Sequence, residues 1–281
     1  MVDKRMTPQE VVAQIRNGDT IVIGGWGIDR KPMVLLREIA KSKLKDLTIM
    51  SFAGIDIDLL IGAGKVKKFV FPFISLEGAP GVPGNYRRAR ANAAIEVMEI
   101  SEYMFVCGLR AAAERLPFYP VRSGLGTDVL KVNPGIVTFK APYTGEKLVA
   151  VPALKADVAL LHVSAADPSG YAQILGDPLF DAVMARGAEK VFICAEKIVP
   201  QSELRRDYDR IAIYKMYTTG VVEAPYGAHP GFCYPHYEWD ARHLTEYSQA
   251  SADPEAFKNY LAKYVFNAPD QAAYLKLVGK A

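Results

Sequence analysis

The chain has 281 residues, of which 50% are hydrophobic and 23% are charged, and its formal net charge is +3 at pH 7. This is an ordinary globular composition, and the length suits one large domain or two small ones. Acidic and basic residues are mixed along the chain, which does not favour nucleic-acid binding, since that usually needs a basic stripe. No stretch approaches the roughly 20 apolar residues of a membrane helix, so we expect no membrane partner.

The amino-terminal residues predict a folded start rather than a targeting segment. Thr7 precedes Pro8 and Glu10 follows, which is the pattern of a helix N-cap with proline in the first turn and a capping-box glutamate. We therefore expect a cytoplasmic protein.

The spacing of cysteine and histidine favours neither a metal site nor a disulfide framework. The cysteines Cys107, Cys194 and Cys233 are far apart and are best interpreted as buried thiols. His229 and His236 are separated by prolines, with no carboxylate in ligand register, so aromatic packing at a subunit interface is the better interpretation of their segment.

Short apolar runs alternate with helical patterns along the chain. We expect strands over 20–25, 46–54, 67–74, 94–100, 147–154, 156–167 and 188–199. We expect helices over 7–17, 31–42, 101–115, 177–188 and 251–266. Strands that are apolar along their length indicate a sheet covered on both faces, and helices between them indicate parallel crossovers. The prediction is an α/β fold, with a mostly parallel sheet and helices on both faces, in one domain over 1–281.

The first candidate site is the turn over 24–32, which reads GGWGIDRKP between a predicted strand and a predicted helix. Ligands of open α/β sheets lie beyond the carboxyl ends of strands, and a helix N-terminus offers free N–H groups to an anion. The candidate binding residues are Gly24, Gly25, Trp26, Gly27, Arg30 and Lys31. The turn matches neither the dinucleotide fingerprint nor the P-loop. The alternative, a tight structural turn, is equally compatible with the pattern.

Two further stretches carry candidate site residues. Glu102 follows a predicted strand at the start of a predicted helix, where the alternative is a surface capping acid. The run over 116–128 ends in a glycine loop that could approach a ligand closely, and the alternative is another surface turn. Its candidate residues are Arg122, Ser123, Gly124, Gly126, Thr127 and Asp128.

Together these stretches resemble a known family. "GDTIVIGGWGIDRKPMVLLREI", "GEKLVAVPALKADVALLHVSAADPSG" and "VVEAPYGAHPGFCYPHYEWD" are similar to the α subunit of family I CoA-transferases of the glutaconate type. In the first half, "AAIEVMEISEYM" and "LRAAAERLPFYPVRSGLGTDV" resemble the α subunit of the steroid-ring-opening CoA hydrolase of bacterial cholesterol catabolism. That hydrolase uses a glutamate that matches Glu102, where the glutaconate enzymes carry glutamine.

The resemblance implies the α subunit of an acyl-CoA enzyme with a homologous β subunit, expected as α2β2. A ring-opening hydrolase with Glu102 as general base is slightly favoured. The alternatives are a glutaconate-type CoA-transferase, whose nucleophilic glutamate lies on the β subunit, and a non-catalytic acyl-CoA-binding subunit. N–H groups of the turn over 24–27 would stabilise an oxyanion, and Arg122 with its loop would orient the acyl group. No cofactor is implied beyond coenzyme A as part of the substrate.

Overall fold

The computed structural model describes residues 2–77 and 81–280. In chain order, the strands of these residues are β1 (Thr20–Trp26), β2 (Leu47–Phe52), β3 (Val66–Phe71), β4 (Glu96–Glu99), β5 (Phe118–Val121), β6 (Val137–Lys140), β7 (Lys147–Pro152), β8 (Ala156–Val163), β9 (Ala165–Ala166), β10 (Ala172–Gln173), β11 (Ala188–Ala195), β12 (Ile211–Ile213) and β13 (Gly220–Glu223).

The α-helices of the described residues are α1 (Pro8–Val12), α2 (Met33–Lys41), α3 (Ile55–Gly62), α4 (Gly84–Ala91), α5 (Glu102–Ala113), α6 (Val129–Val132), α7 (Asp181–Gly187), α8 (Gln201–Leu204), α9 (Ala241–Ala252), α10 (Pro254–Leu261) and α11 (Gln271–Val278). A 3-10 helix spans Arg205–Arg210 and a π-helical turn spans Ala262–Phe266. No helix of the described residues is both long and apolar enough to cross a bilayer.

A seven-stranded parallel sheet organises the chain, in the order β13-β11-β8-β1-β2-β3-β4. Chain order runs outward in both directions from the neighbouring strands β1 and β8, so the topology reverses between them. Because all seven strands are parallel, their carboxyl ends share one edge, where α/β proteins bind ligands. The predicted α/β fold is confirmed.

Helices cover both faces of this sheet, as expected. Ile21 and Ile23 pack into one core with residues of α2, α3, α9, α10 and α11, whereas Val22 between them packs into a second core with residues of α5 and α7. The alternation follows from the two-residue period of a strand. Both cores bury apolar side chains of β1, so the strand is fixed from both sides.

Apart from differences at element ends and an interruption at Asp253 of the helix expected over 251–266, three predicted elements differ in the structure. The helix expected over 7–17 ends at Val12, although its N-cap at Thr7 is confirmed; after it, Asp19 Oδ2 accepts a hydrogen bond from the N–H of Arg16. The helix expected over 177–188 begins only at Asp181, because Asp177 Oδ1 accepts the N–H of Leu179 in a local turn. Side-chain acceptors thus replace helical hydrogen bonds in both places.

The third difference concerns the strand expected over 147–154. It forms β7, which lies between β5 and β6 in a separate antiparallel sheet rather than in the parallel one. Its buried residues Val149 and Val151 alternate with more exposed ones, which is typical of a sheet covered on one face. This small sheet packs with α5 on the second core.

The carboxyl-terminal helices enclose two histidines. His229 Nδ1 lies 2.8 Å from the Tyr274 hydroxyl, and His243 Nε2 lies 2.7 Å from the Tyr260 hydroxyl. Burial lowers the pKa of His229 to about 4 and that of His243 to about 3. His229 itself therefore packs inside its own chain, whereas Tyr234 and Trp239 of the same segment are exposed, so interface packing of the segment stays a prediction.

These histidines predict acid sensitivity. Both stay neutral in the folded chain but take up a proton in the unfolded chain below about pH 6.5, so the free energy of unfolding should fall as the pH drops from about 6.5 toward 4. One pKa unit corresponds to about 1.4 kcal/mol. Thermal unfolding of His243→Gln, measured from pH 7.5 to pH 4, should show a smaller decline than the wild type. Ala241→Gln, an exposed position of the same helix with no titratable side chain, is the control, and equal declines in all three proteins would contradict the prediction.

Candidate active site

Two of the three predicted stretches meet at the carboxyl edge of the sheet. The Trp26 indole Nε1, at the end of β1, donates a hydrogen bond to Glu102 Oε1, at the start of α5, over 3.2 Å. The Trp26 ring also packs on Phe73, beyond the end of β3, with ring centroids 4.8 Å apart. Trp26 and the exposed Glu102 therefore share one surface above the sheet edge.

The third stretch lies against the start of α5. The Ser123 hydroxyl is 2.7 Å from the hydroxyl of Ser101, the residue that caps α5. Gly124 has a φ of +93°, and a Cβ there would lie 3.1 Å from Met104 Sδ. The glycine therefore allows this loop to pack against the first turn of α5, close to Glu102.

The other candidate residues of this loop bind neighbouring residues of the chain or lie beside open space. Arg122 forms a bidentate ion pair with Glu146, at 2.5 and 2.9 Å, and stays 76% exposed. Thr127 Oγ1 donates to a backbone carbonyl, Asp128 pairs with Lys131, and a Cβ at position 126 would meet open space. Substrate binding by these residues stays a prediction.

At Gly24 and Gly25, the space that a side chain would need is filled by other atoms of the chain. A Cβ at Gly24 would lie 2.6 Å from Leu161 Cδ2, and a Cβ at Gly25 would overlap the carbonyl of Asp29. Gly25 and Gly27 also have φ values of +70° and +57°, which disfavour other residues. The tight-turn interpretation therefore accounts for these positions.

The structure also corrects the expected oxyanion role of this turn. The N–H of Gly25 donates to Asp181 Oδ1 over 2.9 Å, that of Trp26 to the Asp29 carbonyl over 3.2 Å, and that of Gly27 to the Phe52 carbonyl over 3.1 Å. These three donors are already engaged, so they are not free to stabilise a developing negative charge.

Arg30 lies beneath the turn instead of facing a ligand, contrary to the sequence expectation. Its side chain is 1% exposed and pairs with Asp181, which is equally buried. Its Nη2 donates to the Asp177 carbonyl over 2.7 Å, and its Nε lies 3.5 Å from Asp29 Oδ2. Burial raises the pKa of Asp29 to about 6.

Lys31 is fully buried and also braces the turn from below. Its Nζ lies 3.4 Å from Asp56 Oδ2 and donates to Ser51 Oγ over 3.0 Å and to the Phe52 carbonyl over 2.8 Å. Burial lowers the pKa of Lys31, an effect that the Asp56 carboxylate opposes. Lys31 therefore holds the ends of β1 and β2 together, whereas Arg30 ties the turn to the start of α7.

One carboxylate of the site, that of Glu77, was not predicted from the sequence. Glu77 follows β3, and a Cβ on Gly27 would overlap its carboxyl group. Ser75 Oγ donates to Glu77 Oε1 over 3.2 Å, and burial raises the pKa of Glu77. The rule that site residues follow parallel strands could have found it, because the strand expected over 67–74 ends just before it.

A second buried polar network lies beside β8. His162 Nε2 is 2.6 Å from Glu196 Oε1, which also accepts the Tyr237 hydroxyl over 2.6 Å. Cys233 lies close enough to complete a three-ligand group of the kind that holds metals. His162 is fully buried in β8, and its contact with Glu196 is that of a hydrogen-bonded core histidine.

The family model of Coenzyme A transferase matches residues 5–224. The chain belongs to the coenzyme A transferase family. The cholesterol ring-cleaving hydrolase IpdA subunit of Rhodococcus jostii is 39% identical over 98% of this chain and 96% of its own length. A glutaconate CoA-transferase subunit of Acidaminococcus fermentans is 32% identical over 99% and 92%. Both resemblances seen in the sequence are thus confirmed.

Solved structures of the family have the same fold. The crystal structure of glutaconate coenzyme A-transferase from Acidaminococcus fermentans matches with a TM-score of 0.93 at 32% identity, over 98% of this chain and 93% of that chain. A variant of the decarboxylase AibA/AibB matches with a TM-score of 0.81 at 27% identity, over 93% and 100%. One fold thus carries differently named activities, so the site must decide between them.

The buried pair under the turn predicts a large effect on stability. Arg30→Met leaves Asp181 buried without its cation, which should cost about 3–5 kcal/mol of unfolding free energy. The double variant Arg30→Met/Asp181→Asn should recover part of this loss. The exposed pair of Arg5 with Asp3 supplies the control, because an ion pair in solvent contributes little and Arg5→Met should leave stability almost unchanged. Similar losses for Arg30→Met and Arg5→Met in denaturant unfolding would refute the prediction.

Proposed function

We propose that this chain is the α-type subunit of a two-subunit hydrolase that opens a ring of a steroid-derived acyl-CoA by cleaving a carbon–carbon bond. The relative named as a cholesterol ring-cleaving hydrolase subunit supports this, because it is aligned along nearly the whole chain and is more similar than the glutaconate enzyme, at 39% against 32% identity. Glu102 in its contact with Trp26 is the observation that carries the proposal.

Glu102 is suited to act as general base. It is exposed, so its carboxylate is accessible to a substrate, and the Trp26 indole holds one of its oxygens. It would take a proton from water, and the resulting hydroxide would add to the ring carbonyl. The bond to the neighbouring carbon then breaks; its electron pair stays on that carbon, which receives a proton, and the carbonyl carbon becomes a carboxylate.

A β subunit would complete the site. Trp26 is 40% exposed and Tyr103 is 55% exposed beside Glu102, and the relatives are named as subunits. We infer that a homologous β chain covers this surface in an α2β2 assembly of the cytoplasm. Coenzyme A would enter as part of the substrate, without a further cofactor or metal.

A glutaconate-type CoA-transferase is the second candidate function. The TM-score of 0.93 with glutaconate coenzyme A-transferase supports it. In that case the β subunit would contribute a nucleophilic glutamate, which forms a covalent thioester with CoA. Glu102 would then be a group of the acyl pocket.

Chemical trapping separates the two functions. The αβ complex is incubated with acyl-CoA and then with borohydride, which reduces an enzyme-bound glutamyl thioester. A hydrolase with a general base should yield no modified glutamate and should release the opened acyl-CoA. A reduced glutamate on the β chain, found by peptide mass spectrometry, would reject the hydrolase in favour of the transferase.

Replacement of the proposed base tests the same site directly. Glu102→Gln keeps the size of the side chain and can still accept the Trp26 N–H, but it cannot take a proton. We expect turnover to fall by about 10²- to 10⁴-fold with assembly intact. Glu99→Gln, an exposed residue of β4, is the matched control and should keep its activity. Unchanged kinetics of Glu102→Gln would exclude it as the base.

A further inference from the structure

Glu77 lies at the proposed site without a part in the chemistry described so far. We propose that Glu77 is the proton-carrying partner of Glu102, the acid that delivers a proton to the acyl group after Glu102 has taken one from water. This inference rests on the proposed function and adds a second catalytic residue to it.

The ends of three neighbouring strands bring Glu77 to the site. Beyond β2 and β3 the chain continues the ladder, since Ala53 pairs with Ile74 and the N–H of Ser75 donates to the Ala53 carbonyl over 3.2 Å. Gly27 joins this edge from β1. Glu77 thus reaches the Trp26–Gly27 dipeptide from the side of β3.

The Trp26–Gly27 dipeptide touches both carboxyl groups. Its indole N–H binds Glu102, and its glycine leaves the space that the Glu77 carboxyl group occupies. A Cβ at position 27 would displace that carboxyl group from its present place, and the φ of +57° favours glycine there. Two acidic groups, one beyond the end of β3 and one at the start of α5, therefore flank one short turn.

The surroundings of the two carboxyl groups differ in the way an acid and a base require. Glu77 is half-buried, and its Oε2 is buried without a hydrogen-bond partner among residues 2–77 and 81–280. Burial raises the pKa of Glu77; hydrogen bonds from its own backbone and from Ser75 oppose this, as does the charge of Lys31, while the negative charge of Asp56 adds to it. A protonated carboxyl group has an O–H to donate, whereas Glu102 is exposed and accepts a hydrogen bond. Such divergent environments mark acid and base roles.

Each proton in the proposed step has a donor and an acceptor. Glu102 takes one proton from water, and hydroxide forms the new carbon–oxygen bond at the ring carbonyl. When the carbon–carbon bond breaks, its electron pair takes the proton of Glu77 and a new carbon–hydrogen bond forms. Glu77 is left as a carboxylate and Glu102 as an acid, and exchange with solvent restores both. No oxidant, reductant or metal takes part.

The protonation state of Glu77 can be measured without turnover. In a pH titration of the difference infrared spectrum of the wild-type αβ complex against Glu77→Gln, the C=O band of a protonated carboxyl group should persist above the pH range in which an unperturbed glutamate ionises, and should disappear as the pH is raised further. A carboxylate band alone across this range would overturn the proposal. If Glu77→Gln fails to assemble, Glu77→Asp, which withdraws the carboxyl group by one methylene, serves as the reference.

Kinetics separate this inference from the proposed function. Glu77→Gln should lower kcat by about 10²- to 10⁴-fold with KM little changed. The wild-type complex should lose kcat as the pH rises through the ionisation of Glu77, and Glu77→Gln should not show this loss. Full activity of Glu77→Gln beside inactive Glu102→Gln would reject the acid but keep the hydrolase. A lower Tm with unchanged kcat would assign Glu77 a structural role only, which also overturns the proposal.

Discussion

Two buried cations under the first turn are the constraint on which the rest of the site depends. Arg30 binds Asp181 at the start of α7, and Lys31 binds Asp56 at the start of α3. Without these partners, two positive charges beneath β1 would carry a large desolvation penalty. The two buried ion pairs hold the turn above them in place, and the turn in its place positions Trp26 against Glu102.

The site follows from the parallel arrangement of the sheet. Residues at or a few positions beyond the ends of β1, β3 and β4 are distant in the chain, but parallel strands deliver them to the same edge. Trp26, Glu77 and Glu102 come from these three strand ends, and the Phe73 ring packs on the indole. Short side chains suffice to bring chemical groups to this edge, so modest local changes can alter the chemistry while the sheet stays constant.

The sequence predicts this edge better than it predicts the contacts made there. Continuous apolar runs indicate β1, β2, β8 and β11, since such runs are typical of strands buried on both faces. Strand ends in turn point to Trp26 and Glu102. The burial of Arg30 could not be foreseen, because its partner Asp181 is 151 positions away and nothing local identifies it. The strand β7 was misplaced because its apolar residues do not show which sheet they join.

The engaged backbone of the turn bears on how the site could manage negative charge. The N–H groups of Gly25, Trp26 and Gly27 hold the turn together, so they cannot also receive an oxyanion. Within this chain, negative charge that develops at this edge would have to be neutralised by groups other than these three N–H groups. Proton transfer from Glu77 would do so directly, because a neutral acid becomes a carboxylate as the substrate gains its proton. The hydrogen bonds that fix Trp26 thus use the N–H groups that an oxyanion hole would need. A second acidic residue is a chemically consistent replacement for those donors.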